Sequence, residues 1–222
     1  MTELMDKKIE NGREYRSMTM NVADADDYMV VGYATTFEDP YHLYNTTDRN
    51  GNEVEVKEVV SRNAFDNTDM SDVIFQYDHE GRVFARLSNK TMTLEADEHG
   101  LLVRAYLGGT EIGRNLYEEI KGGYTDKMSF GFTVAKDHMS FDGNGYVRSI
   151  DAVGKLYDVS AVSLPQNNNT EIVSARKHCD GVIAELETER ARAEEEMRML
   201  NEKKENLLAK LKALRKDEKD EH

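Results

Sequence analysis

Three residue types with the chemistry to attack a carbonyl sit on or beside runs with strand character: a serine, a histidine and an acid. Ser129 lies in Asp126-Lys127-Met128-Ser129-Phe130-Gly131-Phe132-Thr133-Val134. Met128, Phe130, Phe132 and Val134 alternate with Ser129, Gly131 and Thr133, the period of a strand with one apolar face. Ser129 therefore points away from that face, and Gly131, on the same side, leaves open space above it. His79 follows the apolar run Val73-Ile74-Phe75-Gln76-Tyr77 and stands in a turn between Asp78 and Glu80. Asp158 falls in a further strand, Lys155 to Pro165, alternating with Leu156 and Val162. A serine hydroxyl is a poor nucleophile at neutral pH and needs a neutral imidazole to take its proton as it attacks. An unperturbed imidazole titrates near about pH 6.5, which suits that exchange. A carboxylate in an apolar strand is costly unless hydrogen-bonded, so Asp158 either orients a histidine or faces solvent at a sheet edge. Taken singly, each residue has an ordinary reading. Ser129 would simply face water, and His79 would be a surface-turn histidine.

Together, in the order His, Ser, Asp, they form a candidate base, nucleophile and orienting acid. Here the chain resembles the tailed-phage prohead serine proteases, a family related to the herpesvirus assembly proteases. The pieces that carry the resemblance are Asp78-His79 after an apolar strand, Gly100-Leu101 in a hairpin, and Lys121-Gly122-Gly123 at a helix end. The Met128 to Phe132 segment matches a serine strand of the form SFGF, and Asp158-Val159-Ser160 with Pro165 matches EVS-V-P. A GYA-F opening strand is matched within Tyr28 to Phe37. The resemblance extends from about Tyr28 to Ile172. It implies a closed barrel of the herpesvirus-protease type and a serine endopeptidase with Ser129 as nucleophile, His79 as base and Asp158 as third member. Because the herpesvirus relatives use a histidine as third member, His99 and His138 stand as alternatives to Asp158. The resemblance also implies action in the host cytoplasm, inside the assembling prohead. The substrates would be the major capsid protein or scaffold protein, cut at scaffold or N-terminal segments, and the chain itself. No cofactor is implied. The competing reading is a non-catalytic scaffolding or capsid-assembly factor with a degenerate protease body.

Composition narrows the classes further. The chain has 222 residues, enough for one domain with a core plus an appendage. A mean hydropathy of −0.70 is low for a wholly compact protein, so part of the length is expected to lie outside a core. A net charge of −14 argues against general nucleic-acid binding, which needs clustered Lys and Arg. Cys179, the single cysteine, excludes an internal disulfide and a cysteine-rich zinc site. No long apolar run marks a membrane span or secretory signal, so no membrane partner is expected. The histidines and acids show no HExxH or paired-ligand spacing, and no metal is expected.

The supporting elements follow in order. Residues 1–20 read as a flexible lead-in or an edge strand, and Tyr28 to Phe37 as the first clear strand. Asp48 to Asn52 forms a turn whose glycine is misplaced for a calcium loop. Val54 to Val60 alternates before Phe65, a core plug. Met92, Leu94 and Ala96 turn through Asp97 to Gly100 into Leu101, Val103, Ala105 and Leu107, a hairpin. Thr110 caps a short helix bearing Ile112, Leu116 and Ile120, ended by Gly122-Gly123. The strand Tyr146 to Ile150 precedes the Asp158 strand, and Gln166 to Asn169 ends the folded part.

Beyond it Leu186, Ala193, Leu200, Leu207 and Leu214 share one heptad position. Ile183, Arg190, Met197, Lys204 and Leu211 share the other. A modest coiled coil and one long solvated helix are equal readings of this stretch, and self-association through it is the partner it suggests. The expected architecture is α+β: a mainly antiparallel, barrel-like protease domain over residues 21–172 with few short helices, then a long helical tail over 173–222.

Overall fold

The computed structural model describes residues 13–22, 27–163 and 173–220. The strands are β1 (Glu14–Val22), β2 (Met29–Thr36), β3 (Tyr41–Thr47), β4 (Glu53–Val60) and β5 (Ile74–Tyr77). They continue as β6 (Glu80–Arg86), β7 (Met92–Ala96), β8 (Gly100–Tyr106), β9 (Lys127–Phe141) and β10 (Gly145–Val162). Helix α1 (Glu111–Lys121) lies between β8 and β9, and α2 (Val173–Asp220) follows β10.

The β9–β10 hairpin is the spine. Its turn is held by Asp142, whose Oδ1 accepts from the amides of Asn144 and Gly145 at 2.9 Å each. On β9 the side chains of Met128, Phe130 and Phe132 are fully buried, and Phe130 and Phe132 stack at 4.6 Å. Each such side chain contributes about 1.5–3 kcal/mol when fully removed from water. β10 remains paired with β9 along its length, with register shifts between Ile150 and Asp158. Such bulges bend a strand without ending it. The segments expected separately at Tyr146 to Ile150 and around Asp158 are therefore one bent strand.

The second edge of β10 is divided. β4 pairs with it in parallel over Gly145 to Ile150, and β5 pairs in parallel over Asp158 to Ala161. The sheet path runs β3-β4-β10-β9-β1-β2-β8-β7, with β5 and β6 branching off β10. The fold is α+β, as expected, but the sheet is mixed, and the expected barrel is not present. Closure would need the terminal strands β3 and β7 to bond to each other, and among the described residues they do not. By forking at β10 the sheet spends that edge on two short parallel partners instead of rolling shut. β1 also departs from the lead-in or edge strand read over residues 1–20, because it lies inside the sheet between β9 and β2.

Helix α1 is built as its sequence suggests. Thr110 Oγ1 accepts from the Gly113 amide at 3.1 Å, and Gly123 takes a left-handed φ of +74° beyond the C-terminus. Leu116, Tyr117 and Ile120 enter the core, while Ile112 remains exposed. Phe65 packs in the core against Phe37 and Phe130. The chain divides into two compact units, one through Cys179 and one from Asp180 to the end. The boundary expected at Gln166 to Asn169 lies outside the described residues. Ala175 and Cys179, in the first turns of α2, are buried in the first unit. Burial pushes the Cys179 thiol up to about 12, so it is a protonated packing group.

A buried ion network fixes β1 within the sheet. Arg16 donates Nε and Nη2 to the two oxygens of Glu58 at 2.6 and 2.8 Å, and Nη2 also to Glu14 at 2.6 Å. Arg148 of β10 donates to Glu14 at 2.7 and 3.0 Å, to Glu58 at 3.0 Å and to Asp137 at 2.6 Å. The Tyr41 hydroxyl completes the shell of Glu58. Charges this deep hold only when every one is paired. Burial pushes the Glu14 carboxyl up, but Arg16 and Arg148 more than offset it, and the net displacement is below 4.5. A lowered folded-state value stabilises the protein above the unfolded value and is lost as pH falls through the folded one. Arg148→Met, which leaves Glu14, Glu58 and Asp137 underpaired, is expected to cost about 3–5 kcal/mol in urea unfolding at pH 7. The gap from wild type should narrow below about pH 4.5. An unchanged midpoint at pH 7 would show that the network does not carry this load.

Candidate active site

Ser129, His79 and Asp158 arrive from three places. Ser129 and Gly131 occupy the face of β9 opposite Met128 and Phe130. Cross-strand register sets Ser129 against Ser160 and Gly131 against Asp158 on β10. His79 comes from the tight turn between β5 and β6. Tyr77 pairs with Glu80, and the two residues between them, Asp78 and His79, have φ of +49° and +58°. Successive left-handed residues are the backbone of a type I′ hairpin turn. Aspartate and histidine are among the few residue types with a side chain that tolerate it. The turn is tied down by Asp78. Its amide donates to the Ala161 carbonyl at 2.9 Å, and its carboxylate accepts from the Ser163 amide at 3.1 Å and hydroxyl at 3.2 Å.

The three side chains meet. Ser129 Oγ lies 2.7 Å from His79 Nε2, and His79 Nδ1 is hydrogen-bonded to Asp158 Oδ2. A carboxylate can only accept, so the ring proton sits on Nδ1 and Nε2 is free to accept from the serine hydroxyl. The side chains of His79 and Asp158 are 1% and 4% exposed, and Ser129 is 1% exposed. Charge arising here during a reaction would be screened by very little water.

Two contacts at this site go beyond what was expected from the sequence, and one glycine serves a different purpose from the one expected. Ser160, fully buried, donates its hydroxyl to Asp158 Oδ2 at 2.9 Å. It stands two residues after Asp158 and so shares its strand face, a period-two signal that could have found it. Tyr15 sets its ring edge-on to His79, with centroids 4.4 Å apart. It lies in the stretch read as a lead-in, where nothing in the sequence marked it. Gly131 does not leave open space over Ser129. A Cβ there would lie 2.5 Å from Asp158 Oδ1 and 2.8 Å from Tyr15 Cε1, so the glycine is what lets the acid and the ring fit.

The other histidines are elsewhere. His99 packs edge-on to Tyr33 at 4.5 Å, and His138, more than half exposed, bonds to Asp151 at 2.9 Å. His42 meets Glu55 on the surface, and His178 meets Asp137. Among the described residues no group of three or more His, Cys, Asp or Glu side chains is arranged to hold a metal ion.

Serine hydroxyl, neutral imidazole and carboxylate in one hydrogen-bonded line can deprotonate an alcohol as it attacks an acyl carbon. No curated protein and no solved structure matches the chain. The family described as caudovirus prohead serine protease matches residues 15–182, which takes in β1 from Tyr15 onward, α1 and every residue of the site. The chain belongs to the caudovirus prohead serine protease family, hydrolases that act on capsid or scaffold proteins as phage heads assemble and mature.

Proposed function

We propose that Ser129 is the nucleophile, His79 the base that then serves as acid, and Asp158 the group that orients His79. The observation carrying this reading is the unbroken line from Ser129 Oγ through both ring nitrogens to Asp158. Oγ attacks the carbonyl carbon of the scissile bond while its proton passes to Nε2. The resulting imidazolium is held at Nδ1 by the Asp158 carboxylate. As the tetrahedral species collapses, the C–N bond breaks and Nε2 returns the proton to the leaving nitrogen. Water then attacks the acyl-serine with the same base, releasing the new carboxylate and the free hydroxyl. Ser160 keeps the Asp158 carboxylate turned toward the ring, and Tyr15 limits the ring's tilt.

The bonds cut are in scaffold segments or N-terminal extensions of the major capsid protein, and in this chain itself, inside the assembling head. The chain divides its labour between a catalytic body and a helical segment for association. In α2 the side chains of Met197, Leu200 and Leu207 are about 60% exposed, as heptad positions are when their partner helix is another copy. The competing reading, a scaffolding factor with a spent active site, gives no reason to keep a buried hydroxyl aligned on an imidazole.

Ser129→Ala should abolish processing of the capsid protein in an otherwise folded chain, since one lost hydrogen bond costs only about 1 kcal/mol. Asp158→Asn should lower turnover by roughly ten-thousand-fold by misdirecting the ring proton. His99→Ala and His138→Ala should process normally. Intact-mass measurements after co-expression read all four variants, and full processing by folded Ser129→Ala would refute the assignment.

Gly131→Ala should destabilise the body by about 1–3 kcal/mol through overpacking and lose activity beyond that, because its methyl displaces Asp158 or Tyr15. Wild-type activity in that variant would mean the site has slack that the contacts deny.

Leu200→Glu with Leu207→Glu should shift sedimentation toward monomer without affecting cleavage of a soluble peptide. An unchanged mass distribution would remove association from the helix.

A further inference from the structure

Between the β5–β6 hairpin and α1 runs a cleft of about 590 Å³. It falls in the size range of peptide- and ligand-binding clefts, roughly 300–1,000 Å³. One wall is an irregularity in β6. Phe75 pairs with Ala85 and Tyr77 with Glu80, so Gln76 alone faces the four residues 81–84. The surplus residues bow outward, beginning at Gly81 with a φ of +71° and leaving Val83 42% exposed. Bulges of this kind re-aim a strand beside active sites. The opposite wall is α1, where Ile112 is exposed and Asn115 faces the cleft beside it. Tyr77, Phe84 and Leu116 give it apolar lining, and Glu80, Arg82 and Glu119 line it as well.

The cleft is continuous with the turn that holds His79. Tyr77, Glu80 and Gly81, which bracket Asp78-His79 in sequence, all line it. We propose that this cleft seats an extended segment of the substrate polypeptide, with an aliphatic or aromatic side chain lodged between Phe84 and Ile112. The proposal rests on the catalytic reading above and adds to it the surface that selects the bond. A peptide bond presented to Ser129 must belong to a chain passing the His79 turn, and this cleft flanks that turn with a mixed apolar and charged lining. Occupation would also cover Ile112, an apolar group the fold leaves in water.

The test fills the cleft without touching the catalytic residues. Ile112→Arg and Asn115→Trp alter exposed helix positions, where substitution is well tolerated by the fold. In the full chain, both variants should react with phenylmethylsulfonyl fluoride, a reagent too small to need the cleft, within about twofold of the wild-type rate. Both should process the co-expressed major capsid protein about tenfold more slowly or worse. Glu118→Ala, an exposed position of the same helix that does not line the cleft, should process normally. Undiminished processing by both bulky variants would overturn the proposal while leaving the catalytic assignment intact. Loss of fluoride reactivity together with processing would also overturn it, since the change would then have acted on the triad. A wild-type chain that does not react with the fluoride, or a Ser129→Ala chain that does, would overturn the catalytic reading and the cleft's role with it. With Ser129→Ala as a trap, a photo-crosslinking residue at position 112 should label the capsid protein. Labelling confined to the chain's own N-terminal residues or to a second copy would assign the cleft to another occupant and refute the proposal.

Discussion

The register between β9 and β10 is the constraint on which everything else rests. In a strand, neighbouring residues face opposite sides, so a slip of one position exchanges the faces completely. Here one face of β9 carries Met128, Phe130 and Phe132 into the core, and the other carries Ser129 and Gly131. The same alternation on β10 sends Val159 and Ala161 one way and Asp158 and Ser160 the other. The hydrophobic side thereby sets the side that carries the serine and the acid. No misregistered pairing can bury the phenylalanines and also bring Ser129 opposite Ser160.

Register alone places two of the three groups proposed to react; the third needs a separate device. His79 is delivered by a turn with two left-handed residues, and each such residue costs energy that the surroundings must supply. Asp78, bonded to Ala161 and Ser163, supplies part of it from the same strand end that presents Asp158. The ion network acts on β1 from the opposite face, where Glu14 and Arg16 pair in register with Phe132 and Phe130 of β9. By binding Glu14 and Arg16 into β4 and β10, it holds β1 so that Tyr15, one residue between them, meets the imidazole ring. Buried charge on the far face of β1 thus contributes to the geometry around the serine.

Much of this was legible in the sequence because it is periodic. The alternation around Ser129, the hairpin at Asp97 to Gly100, the cap at Thr110 and the glycine stop at Gly122 are local signals, and each element formed where its signal lies. The long heptad stretch likewise became helix. What could not be read is non-local. β3 has weak alternation, and β6 is broken by its bulge, so neither stood out. β1 was hidden because its stabilisation comes from Glu58 and Arg148, far along the chain. Closure was expected from a resemblance, and no local residue pattern records whether β3 and β7 meet. The role of Gly131 was misjudged for the same reason: what fills the space beside it comes from β1 and β10.

The divided edge of β10 bears on when the molecule becomes itself. Both strands that share that edge are parallel to β10 and lie far upstream, so each contact closes a long loop. That entropy must be met before pairing returns anything, which makes such sheets slow to form. Among the described residues β10 is also the last strand in chain order. When Ser129 and His79 have left the ribosome, the strand that joins them has not. β4, β5 and β9 wait for one late arrival, and its docking completes the sheet and the hydrogen-bonded line from Ser129 to Asp158 in the same step. A nascent or half-folded chain therefore carries the parts of a protease without being one.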